Sequence, residues 1–209
     1  MSWYALFVET GSEDIVQKCL RIQFCQKDLY SCVPKRLVPE KKGGEFYSVV
    51  KTLFPGYLLI NTKMTPTMYY DLKKLPRYYR LLRNSTFLLD KLYRRSQTLS
   101  DPRIIEGTDI YNYDDFFNKI EEDEIRQILQ LCNHENIIEY SNVIVENSKV
   151  TVQSGPLFGL EGIIKKLDKR KRRAQIAINF FGGEKLIEVG IEVLVPDSQG
   201  MSEIRENFG

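Results

Sequence analysis

The spacing of apolar and polar positions changes several times along the chain, and each change marks an element. The unbroken apolar run from Trp3 to Val8 stops at Glu9 and reads as a first β-strand. Thr10-Gly11-Ser12-Glu13 then has the Thr-x-x-Glu spacing of a capping box, which predicts that a helix starts there. Ile15, Val16, Cys19, Leu20 and Phe24 follow at helical spacing, with Glu13, Asp14, Lys18 and Arg21 left for the other face. Between 30 and 62 the texture turns to short β-rich runs over 31–37, 46–53 and 57–61. Gly43-Gly44, set between Lys41-Lys42 and Glu45-Phe46-Tyr47, is a tip where positive φ costs nothing and a hairpin can close. Thr65-Pro66 places a hydroxyl cap before a proline at the first helical position, and Met68, Tyr69, Leu72 and Leu75 mark one face of a second helix ending near Pro76. A strand is predicted over 78–82. Ile125, Ile128, Leu129 and Cys132 predict a last short helix, whose acidic start Glu121-Glu122-Asp123-Glu124 suits its dipole. Strands and helices mixed in this order predict an α+β sandwich, with helices covering a mainly antiparallel sheet.

Beyond this unit the pattern loosens. Residues 84–120 are too long for an ordinary connection and read as an extended loop or insertion. Asparagine- and serine-punctuated residues 134–146 read as a linker, with Val143-Ile144-Val145 left open as an apolar run pinned to one of the domains. Short strands over 150–153, 162–167, 174–180, 185–189 and 192–195, separated by glycine and charged turns, predict a small five-stranded SH3-like β-barrel. The expected organisation is a first domain over 1–133, the linker, a second domain over 147–196 and a tail over 197–209.

The 209 residues, 43% hydrophobic and 28% charged, can bury a core, so disorder is excluded as the dominant state. No stretch approaches the roughly 18 apolar residues needed to span a bilayer, and the opening eight residues read as a strand rather than a leader. Cys19, Cys25, Cys32 and Cys132 form no C-x-x-C pair, and His134 has no further ligands near it in sequence. The thiols read as free and reduced, with no metal site. Asp114-Asp115 and Glu121 with Glu124 lack an accompanying histidine, lysine base or metal spacing. A phosphate-cradling loop and a nucleophile elbow are missing, so the chain is read as a non-enzyme without cofactor.

Charge changes the picture for the second domain. The chain carries only +2 overall, but residues 147–196 hold nine Lys/Arg against five Asp/Glu, and seven of the nine residues in 165–173 are basic. This run follows the turn Gly155-Pro156-Leu157-Phe158-Gly159-Leu160-Glu161-Gly162, and together they read as a β module that meets phosphate. The bland alternative is a solvated hairpin with charged edges. Lys165, Lys166, Lys169, Arg170, Lys171, Arg172 and Arg173 are the candidate residues for binding nucleic acid. About four of them meeting phosphate predicts a salt slope of about −3 on a single strand and about −3.6 on a duplex. The arginines can also pair with a guanine edge or stack on an unpaired base. A second patch, Lys73, Lys74, Arg77, Arg80 and Arg83, is either a solvated helix face or a guide for DNA.

Three ordered motifs give the chain a resemblance. Trp3-Tyr4-Ala5-Leu6, Lys51-Thr52-Leu53-Phe54-Pro55-Gly56-Tyr57-Leu58-Leu59-Ile60 and Val152-x-x-Gly155-Pro156-Leu157-x-Gly159-x-x-Gly162-Ile163-Ile164 together resemble the NusG family of transcription elongation factors over almost the whole length. In detail the chain is most similar to the specialised bacterial antitermination paralogues called LoaP, through Trp3 to Gly11 and the segment 162–173. The resemblance implies an N-terminal NGN domain that binds the clamp helices of RNA polymerase, and a C-terminal KOW domain that recruits a second ligand. By position it places Trp3, Phe54, Pro55, Gly56 and Tyr57 at the polymerase-binding depression, although core packing would explain Trp3, Phe54 and Tyr57 equally well. Asn179-Phe180-Phe181-Gly182-Gly183 matches the family's partner-binding loop, but in a different polar context, and no partner is carried over for it. The expected protein is a monomeric bacterial factor of the cytoplasm, away from membranes. It holds polymerase and a nascent RNA hairpin, with possible contact to upstream DNA, and suppresses pausing and termination. The alternative is a ribosome-associated or assembly KOW-type RNA-binding protein.

Overall fold

The computed structural model describes residues 1–82, 117–146 and 149–194. Residues 84–116 of the expected insertion, Arg83 of the second basic patch and the tail over 197–209 lie outside the described residues.

The first sheet is antiparallel throughout, in the order β2 (Leu29–Cys32), β5 (Tyr57–Thr62), β1 (Ser2–Val8), β6 (Tyr78–Leu81). The short β7 (Lys119–Ile120) also pairs with β1, at Trp3 and Tyr4. Side chains alternate across a strand, so Tyr4, Leu6, Val8, Leu58 and Ile60 share one face, while Ala5 and Leu59 share the other. The first face is covered by Val16 and Leu20 of α1 (Glu13–Gln23) and by Tyr69 and Leu72 of α2 (Pro66–Leu72). The second is covered by Ile125, Ile128 and Leu131 of α3 (Glu122–Leu131). Burial on both faces explains why β1 reads as an unbroken apolar run rather than an alternation.

The hairpin closed by Gly43-Gly44 forms as expected, from β3 (Lys35–Lys42) and β4 (Glu45–Thr52), and β8 (Ile137–Ile138) adds a parallel third strand to it. The strand expected over 31–37 is two strands in two sheets. Pro34 has no N–H to donate, its carbonyl accepts from Leu53 N at 2.8 Å, and the chain changes sheet at Val33-Pro34. At the start of α2 the Thr65 hydroxyl accepts from Met68 N at 3.1 Å, the cap the sequence predicted. The capping box expected at Thr10 and Glu13 does not form. Ser12 is the N-cap, without a side-chain cap bond, and the buried Glu13 carboxylate accepts instead from Gly56 N at 2.6 Å. The long-range partner wins because Gly56 N sits in the interior, where an unpaired N–H is expensive.

The second unit is a curled five-stranded sheet in the order β10 (Lys149–Ser154), β9 (Ser141–Glu146), β13 (Gly183–Leu194), β12 (Arg173–Phe180), β11 (Ile164–Asp168). Two expectations change here. Residues 141–146, read as linker, are β9 and pair with both β10 and β13, so the unit begins earlier than 147. The strands expected over 185–189 and 192–195 are one strand, β13, which pairs antiparallel with β12 as far as Gly190 and then parallel with β9 from Ile191. The glycine turn plugs the end of the sheet. Gly155 has φ +93°, and a Cβ there would lie 2.6 Å from Tyr140 O, while Leu157 is fully buried and donates its N–H to Ser141 Oγ at 3.0 Å.

The two units share one core. Phe54, Leu59, Ile125 and Ile128 of the first belong to the same buried cluster as Ile176, Ile178, Phe180 and Ile187 of the second.

Candidate functional site

Two surfaces carry the chemistry predicted for the chain, and both lie where the units meet. The first surface is aromatic. The β12–β13 connection consists of Phe181 and Gly182, with φ of +56° and +67°, so both central residues occupy the left-handed region that a two-residue type I′ hairpin requires. This geometry turns two successive N–H groups outward. Both donate to one carboxylate of α3, Phe181 N to Glu124 Oε2 at 3.0 Å and Gly182 N to Glu124 Oε1 at 2.8 Å, an anion nest filled by the protein itself. Gln127 Oε1 of the same helix accepts from Asn179 N at 3.2 Å. The hairpin so held lays Phe180 flat on Phe54, with centroids 4.0 Å apart and planes 9° from parallel. Tyr57 meets Phe180 edge-on at 6.1 Å and Phe181 at a 45° tilt at 6.4 Å. Beside these rings a cavity of about 490 Å³ opens between Pro55, Tyr57, Leu82, Phe181 and Leu186. Tyr57 continues outward to Phe7 at 5.4 Å, and Phe7 to the exposed Tyr79 at 5.5 Å, with Arg80 over the Phe7 ring at 5.4 Å.

The five residues expected to form one depression are therefore divided. Phe54, Pro55 and Tyr57 lie together under the β12–β13 hairpin, with Phe54 only 8% exposed. Gly56, with φ +83°, is buried at the start of β5, where a Cβ would press on Thr10 Oγ1 and the Phe7 ring at 3.1 and 3.2 Å. Trp3 packs edge-on against Tyr30 at 5.8 Å. It shares a sheet face with Phe7, four residues further along β1, which separates it from the Tyr57 end by roughly 13 Å.

The second surface is basic. A register shift in β11 between Ile164 and Lys166 leaves Lys165 and Lys166 both exposed. Lys165 pairs with Glu184 at 3.5 Å and Lys171 with Asp168 at 3.8 Å. Arg173 is turned inward. It donates to Pro39 O through Nη2 at 2.7 Å and Nε at 3.2 Å, and its Nη1 meets Glu188 Oε2 at 2.7 Å. Arg36 of β3 reaches the Glu188 carbonyl in the same region, and burial lowers its pKa while the Glu188 carboxylate opposes that shift. Lys166, Lys169, Arg170 and Arg172 remain exposed without a carboxylate partner among the described residues. Gly190 lets the units close at this end, since a Cβ there would fall 2.0 Å from the Tyr140 ring and 2.9 Å from Leu37 O. Tyr140 Oη hydrogen-bonds Ser48 Oγ at 3.0 Å.

The other basic patch is dispersed. Lys73 lies over Tyr69 and Tyr70 at 5.5 and 5.6 Å, Lys74 pairs with Asp71 at 2.7 Å, and Arg77 donates to Ser12 Oγ at 2.7 Å beside Glu9. These groups do not form one track.

Sequence reasoning missed Glu124, whose acidic neighbours suggested only a dipole partner, and Arg36 and Phe46, which no local pattern marks. Phe180 and Phe181 stood out as an aromatic-glycine loop, but nothing local shows that they face the protein's own first unit. Among the described residues no helix is long and apolar enough to cross a membrane.

Residues 1–98 match the family model described as transcription termination factor nusG. The chain is 22% identical over 192 residues to the transcription termination/antitermination protein NusG of Rickettsia prowazekii, covering 90% of this chain and 85% of the relative. It is 23% identical over 193 residues to the protein of that name from Staphylococcus carnosus, covering 90% and 91%. A solved structure described as domain interaction in Thermotoga maritima NusG aligns with 90% of this chain and 93% of its own, at 16% identity and a TM-score of 0.46.

Proposed function

The chain belongs to the NusG family, and on that premise we propose that it is a non-catalytic transcription termination/antitermination factor of the specialised antitermination type. Its first unit binds RNA polymerase through the aromatic surface of Phe54, Pro55 and Tyr57. Its second unit contacts a structured hairpin in the nascent transcript through the basic turn. The observation that supports this reading best is the pairing of an aromatic surface on one unit with exposed, unpaired cations on the other. A ribosomal RNA-binding module would need only the second.

The rings suit an apolar helix face, the surface that the clamp helices of polymerase would offer. In the free protein that surface is occupied by Phe180, so polymerase and the β12–β13 hairpin compete for the same rings. The stack contributes about 0.5–1.5 kcal/mol beyond the area it buries, which polymerase must replace with contacts of its own. Bound polymerase would then be biased toward its processive state, because the factor makes contacts only there. Holding the transcript at a second point raises its local concentration, so modest RNA affinity suffices.

Transcription in vitro across an intrinsic terminator tests the proposal, with the leader hairpin present or deleted. Read-through that needs both the protein and the hairpin is expected, and Tyr57→Ala should abolish it. Unchanged read-through on every template would overturn the reading.

A further inference from the structure

The tip of the β3–β4 hairpin lies against the β11–β12 turn, and one ring joins them. Phe46 carries Arg172 of the second unit, with Cζ 4.6 Å from the ring centroid, and Lys41 of its own hairpin, with Nζ at 5.7 Å. The register of the hairpin sets the second contact, because Lys41 lies directly across from Phe46. The turn sets the first. Arg172 has φ +53°, a conformation that disfavours a long side chain. It is held there by its N–H on Lys169 O at 3.3 Å and by its carbonyl accepting from Ile191 N at 3.0 Å.

Two cations from separate units thus meet one aromatic ring, and among the described residues neither has a carboxylate within ion-pair distance. Among the described residues Lys41, Lys42, Lys169, Arg170 and Arg172 are exposed and have no ion-pair partner, whereas Lys165, Lys171 and Arg173 each have one. The acidic groups closest in the two turns are Glu45, opposite Lys42 in the hairpin, and Asp168, which accepts from Lys171 N at 2.8 Å and pairs with the Lys171 ammonium. A guanidinium stacked on a ring keeps its edge donors free, and an anion between like charges removes their repulsion.

We propose that the β3–β4 tip and the β11–β12 turn form a single composite site for the phosphate backbone of an RNA stem-loop. Lys41 and Lys42 extend the track of Lys169, Arg170 and Arg172, and Phe46 fixes the junction. The proposal rests on the reading that the second unit binds RNA, and it adds that the first unit supplies part of the site. By linkage, RNA binds the arrangement with the units packed together more tightly than the separated units, and so stabilises that packing.

The test uses the full chain and a fluorescently labelled RNA stem-loop of about a dozen base pairs, titrated by anisotropy over a range of salt concentrations. Lys41→Gln with Lys42→Gln removes two phosphate contacts and should flatten the slope of log K against log salt by about 1.4–1.8, with affinity lower by about tenfold at low salt. Phe46→Ala should also weaken binding. In the Phe180→Ala background, where the units are loosened, the lysine pair should lose most of its effect. An unchanged slope in the lysine double variant, while Arg170→Gln with Arg172→Gln weakens binding, would overturn the composite site and leave the RNA reading standing. No effect from either pair would overturn both. Lys41, Lys42, Arg170 and Arg172 are surface groups, so melting curves that match the unaltered chain check that those variants fold, whereas Phe180→Ala truncates the core and is compared only below its own melting transition.

Discussion

At one end of the contact between the units, Phe54 stacks on Phe180 over a buried core, while at the other Arg36 and Arg173 reach across to carbonyls and share Glu188. The aromatic end gains from removing apolar area from water, which salt barely alters. The polar end depends on partly exposed charge, which salt screens over about 8–10 Å at physiological strength. Each end also lies next to one proposed ligand, polymerase at the rings and RNA at the cations. The two contacts therefore differ in what weakens them, and because they hold the same pair of units, a ligand at one end is linked to the other.

Truncation of the stacked ring gives the largest expected effect. Phe180→Ala should lower stability by about 3–5 kcal/mol in urea denaturation, because a buried aromatic leaves a cavity. It should also raise the radius of gyration in small-angle scattering. Gly190→Ala should break the polar end instead, at a cost of about 1–3 kcal/mol, since the new methyl meets the Tyr140 ring and a rigid backbone carbonyl. Faster amide exchange in β3 with unchanged exchange at Phe181 would show that the break is local. Glu124→Gln weakens two charge-assisted bonds and should cost about 1.5–3 kcal/mol, with faster exchange at the Phe181 and Gly182 amides. Arg173→Ala should cost about 1 kcal/mol at low salt and less as salt rises, while the Phe180→Ala cost stays constant. Equal salt dependence of the two would remove the distinction between the ends.

Thiol titration gives the smallest effect. Burial pushes the Cys32 thiol up to about 12, helped by its neighbour Cys132, and pushes Cys132 to about 11, against 9.0 for a free thiol. An unfolded chain releases these protons first, so their contribution to stability is intact below pH 9. It falls as pH rises toward 11 and 12. Melting curves across that window should show the decline, and Cys132→Ser should make it shallower. At neutral pH the exposed Cys25 should react with a thiol reagent well before buried Cys32.

The elements with a local cause were legible. Gly43-Gly44 forces a hairpin tip, Thr65-Pro66 starts a helix, and the apolar run of β1 reflects a strand buried on both faces. Misreadings fell where a distant group outcompeted a local one. Glu13 left its capping box for Gly56 N, and Pro34 split a strand because its carbonyl serves Leu53. Residues 141–146 looked like linker because their strand partners, β10 and β13, follow later in the chain. The basic run was visible as a run. That Arg173 turns inward to Pro39 while Arg172 meets Phe46 depends on contacts more than a hundred residues apart in sequence.

The sequence by itself determined which segments could become strand, helix or turn, and where cations and aromatic rings were concentrated. Those properties follow from periodicity, backbone preference and side-chain charge over a few neighbouring residues. Only the tertiary structure decided that the aromatic surface is covered by the protein's own second unit, and which cations stay unpaired. Such outcomes depend on the competition among distant donors, acceptors and apolar faces for the same partner, and no local pattern encodes who wins it.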